Sequence, residues 1–212
     1  MKTLLAIHHA DDELDTLRDV IDTAKAADMH LNVVVLGVIR VAPMIAAPGV
    51  PDFYYSEINQ AVFKTCTERV KQLTSLVAKE NLSATISLEC HDAALIEQTI
   101  LRHAMFCDAT VFQNRTALSN DLRTRAFNGA LLDTGTPVLV LGAGGTKLPD
   151  VKTVMYAWNG EPQAAKAVHH SLNWVAPGAE ARIVIVDPDE NSMGPNPGDD
   201  LAAFLARQKP KY

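Results

Sequence analysis

The sequence has few cysteines and no long apolar run. Its 212 residues include three cysteines, Cys66, Cys90 and Cys107, which are odd in number and widely spaced. This pattern excludes a disulfide framework and is typical of reduced thiols, so we expect a cytoplasmic protein. The apolar run after Met1 is too short for the core of a secretory signal, and no run is long enough to span a bilayer.

A cluster of basic side chains is also missing. The formal net charge is -6, and no segment rich in lysine or arginine interrupts the acidic background. A protein that grips the phosphates of nucleic acid without regard to sequence depends on such a cluster. We therefore expect no nucleic-acid partner, and the lack of a spanning run predicts no membrane partner.

Sequence signatures of nucleophilic catalysis are absent too. The chain has no Ser nucleophile elbow and no local pattern of a reactive cysteine. His91 and His103 could act as general acid or base, since histidine titrates near neutrality. We interpret Asp92 as an N-cap, which makes His91 part of a structural turn. The sequence predicts that the protein is not an enzyme and has no catalytic residues.

What the sequence does have is 48% hydrophobic residues in alternating strand and helix patterns. Strands are predicted at residues 3–7, 32–38, 85–88, 109–112 and 138–141, and helices at residues 14–24, 56–80, 93–104 and 121–133. The first strands are continuously apolar, which is typical of a sheet covered on both faces. The pattern predicts an α/β fold with an open, mostly parallel five-stranded sheet and helices on both faces.

Residues 40–55 interrupt this alternation. Pro43, Pro48 and Pro51 exclude a long helix or an interior strand, so the segment is predicted to be a loop that ends in the aromatic run at residues 53–55. This run could stack a base or pack against a helix, and packing is favoured because no basic residues lie nearby; a lid over the cleft or a subunit contact stays open. Ser56 is predicted to cap the helix that follows.

The opening of the chain is repeated about 150 residues later. Residues 152–160 begin a second apolar strand like residues 2–9, and residues 181–186 supply its neighbour at nearly the same offset. A repeat of this length indicates a duplicated domain. We predict a complete domain at residues 1–142, a Gly-rich linker at 143–151 and an incomplete second domain at 152–212.

These features resemble the universal stress protein family, and in particular its tandem members. The likeness rests on the first strand with its acidic helix start, the final strand at residues 136–140, the Tyr-Ala-Trp-Asn-Gly restart at 156–160 and the segment 187–207. It implies the adenine nucleotide alpha hydrolase-like form of the Rossmann-like fold, followed by a partial second copy. It also implies a homodimer through the last strand of the first domain, since final strands in the family pair edge to edge.

The resemblance includes an ATP site whose residues this chain has replaced. Family members that bind ATP have an Asp after strand one and a Gly-rich loop after strand four, whose amides approach the phosphates. Here His9 and Asn159 stand at the Asp positions, residues 113–119 contain no glycine, and Gly129 falls inside a predicted helix. We therefore expect no cofactor, with ATP binding as the alternative.

A ligand cleft is expected where the strand order reverses, at the carboxyl ends of the strands. The candidate cleft residues are His9, Ala10, Val38, Gln113, Asn114, Arg115 and Arg125. Arg123, with Arg115 and Arg125, could replace the lost amides as anion contacts. Residues 8–12 hold two histidines and two aspartates, but neighbouring residues on a strand point to opposite faces, so we predict no metal site.

We interpret the chain as a non-catalytic stress-response protein of the universal stress type. It is expected to act by protein association or by binding a small molecule. Two alternatives stay open: an ATP-binding sensor or weak ATPase with an altered phosphate loop, and a metal-dependent enzyme that uses His8 or His9 with Asp11. Recovered nucleotide would favour the first alternative, and stoichiometric metal the second.

Overall fold

The computed structural model describes residues 2–40, 52–113, 115–142, 151–176, 178–188 and 196–208, with side chains from residue 56 onward in the second of these ranges. The chain divides into two compact units, Met1–Gly145 and Thr146–Tyr212. Most of the loop predicted at residues 40–55, namely residues 41–51, and most of the predicted linker, residues 143–150, lie outside the described residues. The packing predicted for the aromatic run at residues 53–55 also lies outside them, because its side chains are not described.

The first unit alternates strands and helices in chain order. Its elements are β1 (Lys2–His9), α1 (Arg18–Ala26, after a 3-10 turn at Leu14–Leu17), β2 (Met29–Val38), α2 (Asp52–Lys79), β3 (Ala84–His91), α3 (Ile96–Ala104, after a 3-10 turn at Ala93–Leu95), β4 (Ala109–Phe112), α4 (Asn120–Leu131) and β5 (Val138–Val140). All neighbouring strands are parallel, in the order β3-β2-β1-β4-β5. The predicted fold class is confirmed. Because β2 and β3 lie on one side of β1 while β4 and β5 lie on the other, the strand order reverses between β1 and β4.

Alternating side chains of the strands fill the two faces of this sheet. Leu5 and Ile7 of β1 pack with Val34 and Leu36 of β2 against buried residues of α3 and α4. The helices α1 and α2 pack on β2 and β3. This arrangement explains the continuous apolar runs of β1 and β2, since neither face of these two strands is left to solvent.

The close packing of α3 on α4 depends on Gly129. A Cβ atom at this position would lie 2.2 Å from the backbone carbonyl oxygen of Glu97. Contact that close is impossible for a side-chain carbon, so only glycine allows the two helices to approach this far. The glycine predicted inside a helix therefore has a packing role.

The start of α2 differs from the prediction. The helix begins at Asp52, so residues 53–55 are helical and Ser56 is not its N-cap, which corrects the predicted loop end. The predicted end is confirmed, because Asn81 adopts the left-handed conformation, with φ of 53°.

The second unit contains a two-stranded parallel sheet and two helices. Its described elements are β6 (Thr153–Ala157), α5 (Pro162–Ser171), β7 (Glu180–Val184) and α6 (Asp199–Arg207). Tyr156, Val168 and Leu201 form a buried core with Trp158 and Phe204 around them. The opposite face of the sheet stays open, since Met155 is 68% exposed. None of the helices in the described ranges is long and apolar enough to cross a membrane.

Candidate functional site

The candidate site lies at the carboxyl ends of β1 and β4, where the strand order reverses. Neighbouring strands that lead to opposite sides of a sheet leave a crevice between their connections, and doubly wound folds bind ligands there. β1 ends at His9 and β4 ends at Phe112, so the residues just after each strand line this edge. The sequence prediction had placed His9, Ala10 and Gln113 at this edge.

Asp12 is the centre of the hydrogen bonding at this edge. Its carboxylate is buried and accepts from the backbone N–H of His9 at 2.8 Å and from the Thr116 hydroxyl at 3.0 Å. It also accepts a hydrogen bond from the backbone N–H of Ala117. One carboxylate therefore joins the end of β1 to the connection between β4 and α4, and its negative charge is compensated by hydrogen-bond donors rather than by a cation.

His9 and Ala10 are held by neighbouring backbone and side chains. The Nδ1 atom of His9 accepts from the backbone N–H of Asp11 at 3.3 Å and lies 3.7 Å from a carboxylate oxygen of that residue. The carbonyl oxygen of buried Ala10 accepts from the Nε of Arg69 on α2 at 3.0 Å. His9 is thus a partly buried side chain turned toward its own loop.

His8 is fully buried, and both of its ring nitrogens lack a hydrogen-bond partner among the described residues. Nδ1 lies 3.9 Å from the nearer carboxylate oxygen of Asp12, which is too far for a hydrogen bond. Burial lowers the pKa of His8, Asp12 opposes this effect, and Arg69 and His9 add to it, so that the pKa lies at about 4. The imidazole is therefore neutral at pH 7.

Gln113 is a second buried polar side chain without a partner. Neither its amide oxygen nor its amide nitrogen has a hydrogen-bond partner in the described parts of the chain. Ala6 of β1 is in register with Val111 of β4, and His8 and Gln113 each follow two residues later. Since side chains two residues apart share a face, His8 and Gln113 extend from the same face at the reversal of strand order.

Comparisons with known proteins place this architecture among known folds. No protein-family model and no curated protein sequence matches the chain. Two solved structures from Pseudomonas aeruginosa, each 14% identical and with a TM-score of 0.51, span 98% of this chain and 70% of their own. One, from strain UCBPP-PA14, is provisionally described as a universal stress protein, and the other, from strain PAO1, is of unknown function. The chain has the universal stress protein fold.

A third similar structure is the universal stress protein UspA from Lactobacillus plantarum. It is 13% identical, spans 67% of this chain and 99% of its own, and has a TM-score of 0.46. At such low identities, likeness is limited to the fold, so the site must be interpreted from the residues of this chain.

Within the universal stress protein fold, the other predicted cleft residues do not gather at the edge formed by β1 and β4. Val38 ends β2 and packs against the core on the α3 and α4 side. Arg115 is exposed, and the Nε of Arg125 donates to Asp121 at 2.9 Å. Of the three arginines predicted as anion contacts, the one that reaches the site is Arg123, whose Nη2 donates to the backbone carbonyl of Gln113 at 3.2 Å. Asn114 lies outside the described residues.

The other histidines considered from the sequence form a separate cluster at β3 and α3. Glu89 accepts from Nε2 of His91 at 2.6 Å and from Nε2 of His103 at 2.8 Å. Burial alone would raise the pKa of Glu89, but the two imidazole hydrogen bonds lower it below its usual value. Asp92 caps the next turn by accepting from Ala94, as predicted. Within the described ranges, no three ligand-type side chains are grouped to hold a metal ion.

Sequence reasoning missed Asp12, Thr116 and Ala117 as members of the site. In the sequence, Asp12 stands out only as part of the run of histidines and aspartates at residues 8–12 and of the acidic helix start after the first strand. Its partners lie in a polar loop more than one hundred residues away. The sequence offered one signal, since Asp12 follows His9 at a spacing that lets its side chain cap the end of the strand.

Proposed function

We propose that this chain is a non-catalytic, stress-response protein of the universal stress type that does not bind ATP in the manner of that family. The observation that supports the proposal is that the carboxylate of Asp12 accepts a hydrogen bond from the backbone N–H of Ala117. This amide belongs to the β4–α4 connection, the loop that stands where ATP-binding members of the family have their phosphate loop. A carboxylate already satisfies the donor, and its negative charge would repel a phosphate at this position.

The composition of the loop supports the same proposal. Residues 113–119 contain no glycine, so side chains project where backbone would have to approach phosphates. Arg125 is paired with Asp121, and Arg123 donates to the Gln113 carbonyl, so each cation already has a partner. The exposed Arg115 alone would give little affinity for a phosphate chain.

A small uncharged ligand suits the edge better. His8 and Gln113 are buried, and their side-chain polar atoms have no partner among the residues described. An unpaired buried polar group costs about 1–3 kcal/mol, so a molecule that offers a donor and an acceptor to these groups would recover part of that cost. We propose that the protein acts by binding such a ligand or by protein association.

The decisive experiment compares nucleotide binding by the wild type and Asp12→Asn. Calorimetric titration with ATP and Mg²⁺ should show no binding by the wild type, and protein purified without added ligand should release no nucleotide on unfolding. The substituted amide keeps the shape of the carboxylate but removes its charge, so a folded variant should gain measurable affinity for ATP. Micromolar binding by the wild type would overturn the proposal, and phosphate release on turnover would establish the weak ATPase instead.

A homodimer through β5 is a second proposal with its own support. β5 is the last strand of the described sheet, where β4 is its single partner. Its outer edge is therefore unpaired in that sheet. Val140 on this strand is 59% exposed, and Leu132 at the end of α4 is exposed as well. An exposed apolar strand edge favours pairing with a second copy.

We also propose a cytoplasmic location. The three cysteines are free, which is typical of proteins in a reducing compartment.

A further inference from the structure

Two of the free cysteines face each other across the packing of a helix on a strand. Cys66 lies in the middle of α2 and Cys90 near the end of β3, 24 residues later. The thiol of Cys90 donates to the sulfur of Cys66, with 3.5 Å between the two Sγ atoms. A disulfide bond is about 2.05 Å long, so the two sulfurs need to approach by roughly 1.5 Å to form one.

Gly37 provides the space in which the sulfurs meet. It lies on β2 in register with Cys90 of β3. A Cβ atom at Gly37 would lie 2.4 Å from Sγ of Cys66 and 2.9 Å from Sγ of Cys90. Any other residue would therefore push the two sulfurs out of their positions. The two thiols fit side by side over the sheet because Gly37 has no side chain, not because the thiols are flexible.

We propose that Cys66 and Cys90 are a redox-active pair that forms a reversible disulfide between α2 and β3 under oxidising conditions. This inference is independent of ligand binding at the reversal of strand order. Cys107 is also buried, but its sulfur donates to the backbone carbonyl of His103, and the contacts of its sulfur in the described structure include no second thiol. The pair thus consists of two specific cysteines out of three.

The exposure of the two thiols assigns their order of reaction. Cys90 is partly exposed, whereas Cys66 is fully buried. The thiolate of Cys90 attacks a small-molecule disulfide, forms a mixed disulfide and releases one small thiolate. Cys66 then loses its proton and attacks the sulfur of Cys90, which expels the second small thiolate. Two protein thiols are oxidised, one small disulfide is reduced to two thiols, and the two protons pass to the small thiolates.

The surroundings predict a slow response. Burial raises the pKa of Cys66 to about 12 and raises the pKa of Cys90 above its usual value, with the neighbouring Glu89 adding to the second effect. Few thiolates are present at neutral pH, so oxidation proceeds only under sustained or strong oxidising conditions. The pair would stay reduced in an ordinary reducing cytoplasm.

The test is thiol counting on the folded full-length chain after oxidation by excess 2-hydroxyethyl disulfide. After acid quench, unfolding and alkylation, mass spectrometry should find one free thiol where the reduced protein has three, with a peptide that links Cys66 to Cys90. Dithiothreitol should restore all three thiols. Closing a loop of this length should also raise the melting temperature by roughly 5–10 °C.

Matched variants distinguish this result from random oxidation. Cys107→Ser should form the same crosslink, and Cys66→Ser should form none while keeping a mixed disulfide at Cys90. If Cys66→Ser fails to fold, Cys66→Ala gives the same comparison. The proposal is overturned if the wild type keeps three thiols, stops at the mixed disulfide on Cys90, or crosslinks through Cys107.

Discussion

The carboxylate of Asp12 accepts a hydrogen bond from the backbone N–H of Ala117, a residue 105 positions later in the chain. The same carboxylate accepts from the backbone N–H of His9, at the end of β1. The two connections that border the crevice are thereby tied together by one buried acid. A ligand that enters this edge meets a site whose backbone donors are partly occupied.

Replacing Asp12 should destabilise the fold. Asp12→Ala removes a charged acceptor and leaves the amides of His9 and Ala117 without it, so we expect the free energy of unfolding to fall by about 2–4 kcal/mol. Urea unfolding followed by circular dichroism measures this change. Asp11→Ala is the matched control, because the Asp11 side chain is 70% exposed, and it should shift stability by less than about 0.5 kcal/mol. Equal effects of the two changes would contradict the role assigned to Asp12.

His8 should make the protein sensitive to acid. Its folded pKa of about 4 lies below its usual value of 6.5, so between these values the unfolded chain takes up a proton that the folded chain does not. The contribution of His8 to stability is complete above about pH 6.5 and is lost as the pH falls toward 4, by up to about 3 kcal/mol. The free energy of unfolding measured at a series of pH values tests this sign.

The variant His8→Leu isolates this contribution. It should flatten the decline in stability between pH 6.5 and 4, while remaining folded at pH 7, because it also removes a buried polar group without a partner. His170→Gln on α5 serves as the control and should keep the decline of the wild type. An unchanged decline in His8→Leu would show that other groups cause the acid sensitivity.

Gly129→Ala should separate α3 from α4. The new Cβ would meet the Glu97 carbonyl oxygen, which is backbone and cannot turn aside. We expect a net loss of about 2 kcal/mol in unfolding free energy, since overpacking outweighs the better helix propensity of alanine. Gly142→Ala, where a Cβ would meet nothing within 4 Å, should be harmless. Thermal unfolding of both variants checks the difference, and a Gly129→Ala protein as stable as the wild type would refute the packing role.

Val140→Glu tests the proposed dimer. A carboxylate on the exposed edge of β5 would face its own copy across the interface, so the variant should be monomeric where the wild type is dimeric. Sedimentation velocity measures both. Val186→Glu carries the same change at a residue that is 85% exposed in the second unit, and it should leave the dimer intact. A wild type that sediments as a monomer at all concentrations would exclude the interface.

The fold was readable from the sequence because its signals are local. The apolar runs at residues 3–7 and 32–38 lack the alternation of apolar and polar residues expected when one face of a sheet is exposed to solvent. They form the buried strands β1 and β2. The start of α2 was harder to predict. Prolines up to residue 51 favour a loop, and the balance between loop and helix at residues 52–55 is too small for local propensity to decide.

The site was only half readable for a related reason. Once strands are known, their carboxyl ends are known, and this places His9, Ala10 and Gln113 at one edge of the sheet. The hydrogen bonds of Asp12 with Thr116 and Ala117 depend on how far the β4–α4 connection folds back over β1. The hydrophobic periodicity of the sequence does not predict that fold-back. Ion pairing within α4 also affects which of these arginines reaches the edge. Asp121 lies one helical turn from Arg125 and forms an ion pair with it.

The open face of the sheet formed by β6 and β7 has a consequence for local dynamics. In the described part of the chain, these strands pair with each other only, and side chains on one of their faces, such as Met155, are exposed. A two-stranded sheet has little stability of its own, so the amide hydrogens of β6 and β7 should exchange with solvent through small local openings. Those of β1 and β2, covered on both faces, should exchange only when the whole first unit unfolds. The chain would thus carry a slowly exchanging five-stranded core beside a segment that opens orders of magnitude more often.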